Sequence, residues 1–156
     1  MLLPRNNPKK HLRKKMFYDI IISEYDKKGI IRMKILESAE NYLETILILQ
    51  KRNGTVRSID IASELEFTKA SVSVAMKHLR ENGYIEMDKN GAISLSETGH
   101  SIAEAVYERH TILTSVLKNL GVPEKVAKED ACRMEHIISE ETFEAIKKHL
   151  YAHMDQ

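Results

Sequence analysis

A change of period most constrains this chain. Between Ser58 and Gly83 apolar residues recur at helical spacing, at Ile61, Ala62, Leu65, Val72, Met76 and Leu79. After Gly83 they alternate, with Ile85 and Met87 before Asp88-Lys89-Asn90-Gly91 and Ile93 and Leu95 after it. A period of 3.6 buries a stripe of a helix and a period of two buries one face of a strand, so the element must change at Gly83. Ser58 can cap a short helix over 59–65, Glu66-Phe67 makes a tight connection, and Thr68 can cap a second helix ending near Asn82-Gly83. Asn90-Gly91 between alternating runs predicts a hairpin turn with positive φ at both central residues. Two short crossed helices followed at once by a hairpin give a winged helix; the alternative is a plain helical packing motif in some other α-protein.

Helices flank this unit. Ala39, Tyr42, Leu43, Ile46, Leu47 and Leu49 mark an amphipathic helix from Ser38 to Asn53-Gly54. Downstream, Ser96-Glu97-Thr98-Gly99 opens a long helix carrying Ile102, Ala103, Val106, Ile112, Leu113, Val116, Leu117 and Leu120, closed by Gly121. Pro123, at the first helical position, starts a helix running to Ser139, and Ser139-Glu140-Glu141 caps a last helix to about His153. Three helices with broad apolar stripes exceed what one DNA-binding monomer needs, which predicts a homodimer interface there.

Charge totals argue against nucleic-acid binding, since the net charge is only +1. The distribution argues otherwise. Residues 1–33 hold nine Lys/Arg against three acids, residues 51–89 seven against six, and residues 97–156 seven against eleven. The basic extension can be a solvated leader or a phosphate-binding arm. It can also be translated leader ahead of a start at Met33, because Lys28-Gly29 codons can spell the purine-rich stretch that positions a bacterial ribosome. A single cysteine excludes an internal disulfide framework and makes a reducing cytoplasm the expected location. No run of about 18 apolar residues provides a membrane span, and no signal-peptide core is present.

In a winged helix, the segment 68–77 is the recognition helix, entering the major groove of double-stranded DNA N-terminus first. Its outward residues Thr68, Lys69, Ser71, Ser73 and Lys77 suit phosphate anchoring, and Ala70 and Val74 can meet a thymine methyl. Arg57 and the wing's Lys89 are candidate backbone contacts. No Arg, Gln or Asn in the first two turns can make a bidentate base contact, so specificity requires a dimer on a two-fold operator.

Cys132, Glu135 and His136 stand at i, i+3 and i+4 of one expected helix, which places a thiol, a carboxylate and an imidazole on one face. His110 on the preceding helix and Glu44 on the first can complete a transition-metal shell if the helices pack together. By itself the cluster is a weak signal, because a buried cysteine beside a surface Glu-His pair is the more common situation.

Context identifies it. Asn41-Tyr42-Leu43-Glu44, the winged helix, Glu108-Arg109-His110, Leu120-Gly121-Val122 and the run from Asp130 to Ser139 together resemble the diphtheria toxin repressor and manganese transport regulator family over about residues 37–150. The resemblance implies a dimeric repressor that binds Fe(II) or Mn(II) as co-repressor and then binds operators of metal-uptake genes; this chain looks like a short member without the C-terminal β-barrel domain. It implies that Glu44, His110, Cys132, Glu135 and His136 are ligands, with Asn41 at a further ligand position that is Met in the iron branch and Asp in the manganese branch. Glu44 matches the manganese branch and Cys132 the iron branch. Thr114 and Lys128 replace two ligands of the iron branch's ancillary site, so that site is not expected here. A soft thiolate and a neutral amide favour Fe(II) over Mn(II), with Zn(II) less favoured.

The expected fold is therefore mainly α with a small β-hairpin: a basic extension over 1–33, a winged helix-turn-helix DNA-binding domain over 34–97, and a helical metal-binding and dimerisation domain over 98–156. Two rivals remain. One is a winged-helix regulator that senses a small organic ligand, with the Cys-Glu-His cluster incidental. The other is a cysteine enzyme, disfavoured because no Gly-rich strand-to-helix turn supplies an oxyanion hole, so no enzymatic activity is expected.

Overall fold

The computed structural model describes residues 29–153; the basic extension up to residue 28 lies outside the described residues. Six helices and one hairpin follow in order: α1 Gly29–Asn53, α2 Ser58–Leu65, α3 Lys69–Glu81, β1 Ile85–Met87, β2 Ile93–Leu95, α4 Glu97–Asn119, α5 Glu124–Met134 and α6 Glu140–His153. α1 starts well before Ser38, because Arg32, Met33, Lys34 and Leu36 are good helix formers and no breaker separates them from the amphipathic stretch.

The helix pair and wing form as the period change requires, with two local corrections. Arg57, not Ser58, is the N-cap of α2: the Asp60 carboxylate accepts the Arg57 N–H at 2.8 Å, which fixes the helix start one residue earlier. Thr68 caps α3 as expected, its hydroxyl accepting the Ser71 N–H at 3.2 Å. Between them Glu66 takes a left-handed φ of 55° and the Phe67 N–H returns to the Ala62 carbonyl. The wing pairs antiparallel with Ile85 opposite Leu95 and Met87 opposite Ile93. Its turn is not the two-residue form: Gly91 has φ 78° but Asn90 has no positive φ. Instead the Asp88 carboxylate accepts the N–H groups of Asn90 and Ala92, both at 2.8 Å, and templates a longer loop.

One core joins α1, the helix pair, the wing and the start of α4, with Leu43, Ile46, Val56, Ile61, Val72 and Met76 essentially inaccessible. α1 is the back-plate of the reader. Arg52 on α1 makes a bidentate pair with Glu64 on α2, Tyr42 packs edge-on against Phe67 with centroids 6.1 Å apart, and Gln50 donates to the Ile93 carbonyl in the wing. Val56 forms an isolated antiparallel bridge with Ile93, which ties the loop after α1 to β2. Ser96 caps α4, and Gly99 in its first turn lies so close to the chain that a Cβ would sit 2.0 Å from the Tyr84 carbonyl oxygen. A smaller cluster of Ile112, Phe143 and Leu150 packs α6 on α4. Leu120, expected in an apolar stripe, is 75% exposed.

Two more corrections bear on the site. Pro123 is the N-cap of α5 rather than its first residue, since its ψ of 140° is extended. α5 ends at Met134 instead of continuing to Ser139; Glu135 is its C-cap and His136 lies in the turn that follows.

Candidate metal centre

The break after Met134 has a tertiary cause. Arg109 on α4, 5% exposed, donates to the carbonyls of Glu135 and Ile138 at 3.0 and 3.2 Å and pairs with the Glu140 carboxylate at the start of α6. The guanidinium also stands over the Phe143 ring. Carbonyls freed by leaving the helix are thereby satisfied, and the turn 135–139 is held against α4. In the sequence Arg109 is marked only by its place in Glu108-Arg109-His110; its role depends on a partner that no local pattern shows.

Three elements converge on that turn. Ligand atoms of Glu44 on α1, His110 on α4 and Glu135 after α5 all lie within 4.8 Å of one another. Glu135 is shared: its Oε2 is 2.9 Å from His110 Nδ1, and its Oε1 is 3.3 Å from His136 Nε2. The Cys132 side chain is near enough to His136 to favour its charged form, while His136 Nδ1 lies 2.8 Å from Oε2 of Glu40. The end of α5 thus still brings Cys132, Glu135 and His136 together, although they do not share one helix. Asn41 does not join the cluster; its carbonyl accepts the Thr45 hydroxyl. Lys128 pairs with Glu124 at 2.8 Å, and the Thr114 hydroxyl is buried without a hydrogen bond. Glu40 was missed by sequence reasoning. Its signal was its position four residues before Glu44, on the same face of α1.

The electrostatics are those of a site short of positive charge. Glu44 and Glu135 are 5% and 2% exposed, and Oε1 of each makes no hydrogen bond. Burial, then the neighbouring charge of Glu135, pushes Glu44 up to about 7. The hydrogen bond to Glu135 raises His110 against the opposing effect of burial. Burial also works against the charged form of His136, but Cys132, Glu40 and Glu135 outweigh it and push it up to about 10. Buried carboxylate oxygens without donors are costly, and a cation is the natural partner for them. Carboxylate, imidazole and thiol donors fit a divalent transition metal.

On the reader, Arg57, Thr68, Lys69, Ala70, Ser71, Ser73, Lys77 and Lys89 are all exposed. The Thr68 and Ser71 hydroxyls are engaged with each other and with the Thr68 carbonyl, so they stiffen the N-terminus of α3. Arg80, not singled out from sequence, lines a shallow groove with Ser73, Val74, Lys77 and Met87 between α3 and the wing. No helix among the described residues is long and apolar enough to cross a membrane.

Comparison with known proteins adds an independent line. Residues 34–93 match the family described as iron dependent repressor, N-terminal DNA binding domain, and residues 96–153 match iron dependent repressor, metal binding and dimerisation domain. The transcriptional regulator MntR of Escherichia coli is 35% identical over 111 residues, covering 71% of this chain and 72% of that protein. The diphtheria toxin repressor of Corynebacterium diphtheriae is 27% identical over 108 residues, covering 69% and 48%. The solved structure of the manganese regulator SloR superposes with a TM-score of 0.65 at 26% identity, over 72% of this chain and 53% of that one. The chain spans about half the length of that solved structure.

Proposed function

The chain belongs to the iron-dependent repressor family, and from that premise we propose that it is a cytoplasmic, homodimeric repressor that binds double-stranded operator DNA when loaded with a divalent metal and controls metal-homeostasis genes. The observation that carries the reading is the pair of buried carboxylate oxygens on Glu44 and Glu135 that make no hydrogen bond, set beside His110 and His136 where α1, α4 and the end of α5 meet. Glu44, His110, Cys132, Glu135 and His136 would hold the metal, which supplies positive charge and coordination positions for these donors. Fe(II) is placed ahead of Mn(II), with Zn(II) third, because Cys132 is a soft donor and Asn41 brings no charge.

The protein's own part is a linkage between sensing and reading. Without a cation, burial and the neighbouring charge of Glu135 disfavour the ionised form of Glu44, which is seated beside Glu135 only at the cost of holding a proton. Compensation of those charges favours the arrangement in which α1 is held against α4 and the end of α5. α1 carries that position to the reader through Arg52, Tyr42 and Gln50, which grip α2, Phe67 and the wing. In a dimer, the setting of α1 fixes the spacing of the two recognition helices.

The test is titration of the metal-free protein with Fe(II) under anaerobic conditions, with Mn(II) and with Zn(II), each competing against a chelating dye. Cys132→Ala is expected to weaken Fe(II) more than Mn(II). A variant that loses both equally overturns the preference, and one that binds all three metals as tightly as the parent removes Cys132 from the ligand set.

A further inference from the structure

Glu40 lies outside the ligand set assigned above, yet its carboxylate makes one of the shortest contacts in the site. Oε2 stands 2.8 Å from His136 Nδ1, and the two side chains are only 18% and 10% exposed. Oε2 is an acceptor for an Nδ1–H, so this contact keeps a proton on Nδ1, and the proton that His136 gives up on binding a metal is the one on Nε2. Nε2 faces Glu135 Oε1, 3.3 Å away, the oxygen that makes no hydrogen bond. A carboxylate on one ring nitrogen, with the other given to the metal, is the arrangement that orients a ligating histidine.

We infer that Glu40 is a positioning residue: it accepts the Nδ1–H of His136 and aims Nε2 at the metal, which makes the aim of that ligand depend on the seating of α1. The inference rests on the metal-site reading above and deepens it. Glu40 and His136 are 96 positions apart in the chain, on α1 and on the turn after α5. Glu40 and Glu44 share a face of α1 one turn apart, so this helix contributes a ligand and the residue that aims another. The turn holding His136 is itself fixed by Arg109, and α1 supplies the remaining control over the ring.

Co(II) titration of the full chain, followed by its visible absorption, tests this without DNA. Glu40→Ala is expected to lower Co(II) affinity by about 10–100-fold while the spectrum of the loaded protein keeps its shape. Glu40→Gln, whose amide oxygen still accepts the Nδ1–H, is expected to recover most of the loss. In the Zn(II)-loaded parent, nitrogen-15 spectra should place the His136 proton on Nδ1, a measurement that needs no substitution. Unchanged affinity in Glu40→Ala, no recovery in Glu40→Gln, or a proton on Nε2 overturns the inference. So does an altered Co(II) spectrum in Glu40→Ala, which would make Glu40 a direct ligand. If Glu135→Ala and His136→Ala bind Co(II) like the parent, the metal site itself is refuted.

Discussion

Glu44→Gln should make the metal-free protein more stable while removing its response to metal. The Glu44 carboxyl is moved from the ordinary 4.5 to about 7, chiefly by burial. A raised folded-state pKa gives stability that is present below pH 4.5 and lost as the pH rises toward 7, so at pH 8 the whole loss is felt. At about 1.4 kcal/mol per unit, the ionised carboxylate costs on the order of 3 kcal/mol there. Glutamine removes that cost but leaves a buried amide whose partners are not assured, worth about 1–2 kcal/mol in the other direction. The net gain is about 1–2 kcal/mol, or roughly 3–6 °C in Tm for a chain of this size. Metal at 100 times its Kd should add about 2.7 kcal/mol to the parent and far less to the variant. The assay is thermal unfolding at pH 8 and at pH 5, with chelator or with Mn(II), at one protomer concentration. A variant less stable than the parent at pH 8 in chelator, or one with the parent's full metal shift, refutes the reasoning.

Metal-free stability should also fall as the pH rises from about 6.5 toward 10, because His136 is pushed up to about 10 and its stabilising proton is lost over that window; urea unfolding in chelator checks this, and a flat or rising profile contradicts it. Gly99→Ala should cost about 2–4 kcal/mol, since its Cβ would meet the Tyr84 carbonyl oxygen at 2.0 Å and only backbone movement can relieve the contact; the urea midpoint reads it. Lys69→Ala, at the exposed start of α3, should weaken DNA binding about equally across sequences and lower the salt slope by about one, which a binding series in salt would measure.

Legibility from sequence followed the range of the forces involved. The helix pair, the wing and the caps at Thr68 and Ser96 are set by local spacing and by side chains within three residues, and these were readable. Asn90 was misread because the Asp88 carboxylate, and not the Asn-Gly pair alone, shapes the wing turn. The end of α5 was misread because nothing local stops it: a buried arginine from α4 takes the carbonyls that a longer helix would have used. Cys132, Glu135 and His136 were close enough in sequence to stand out, whereas joining them to Glu44 and His110 needed the family resemblance. Glu40 had only its spacing from Glu44 to mark it, and its partner lies at the far end of the chain.

The central claim is that one equilibrium couples the carboxylate-imidazole cluster to DNA binding. Its most direct measurement is the affinity for a labelled operator fragment, selected from genomic DNA with the metal-loaded protein, read by fluorescence anisotropy at fixed salt in metal and in chelator. The account predicts that metal tightens binding by at least about tenfold, and that DNA tightens metal binding by the same factor. It also predicts that Glu44→Gln loses both effects. Equal operator affinity in metal and in chelator would contradict it.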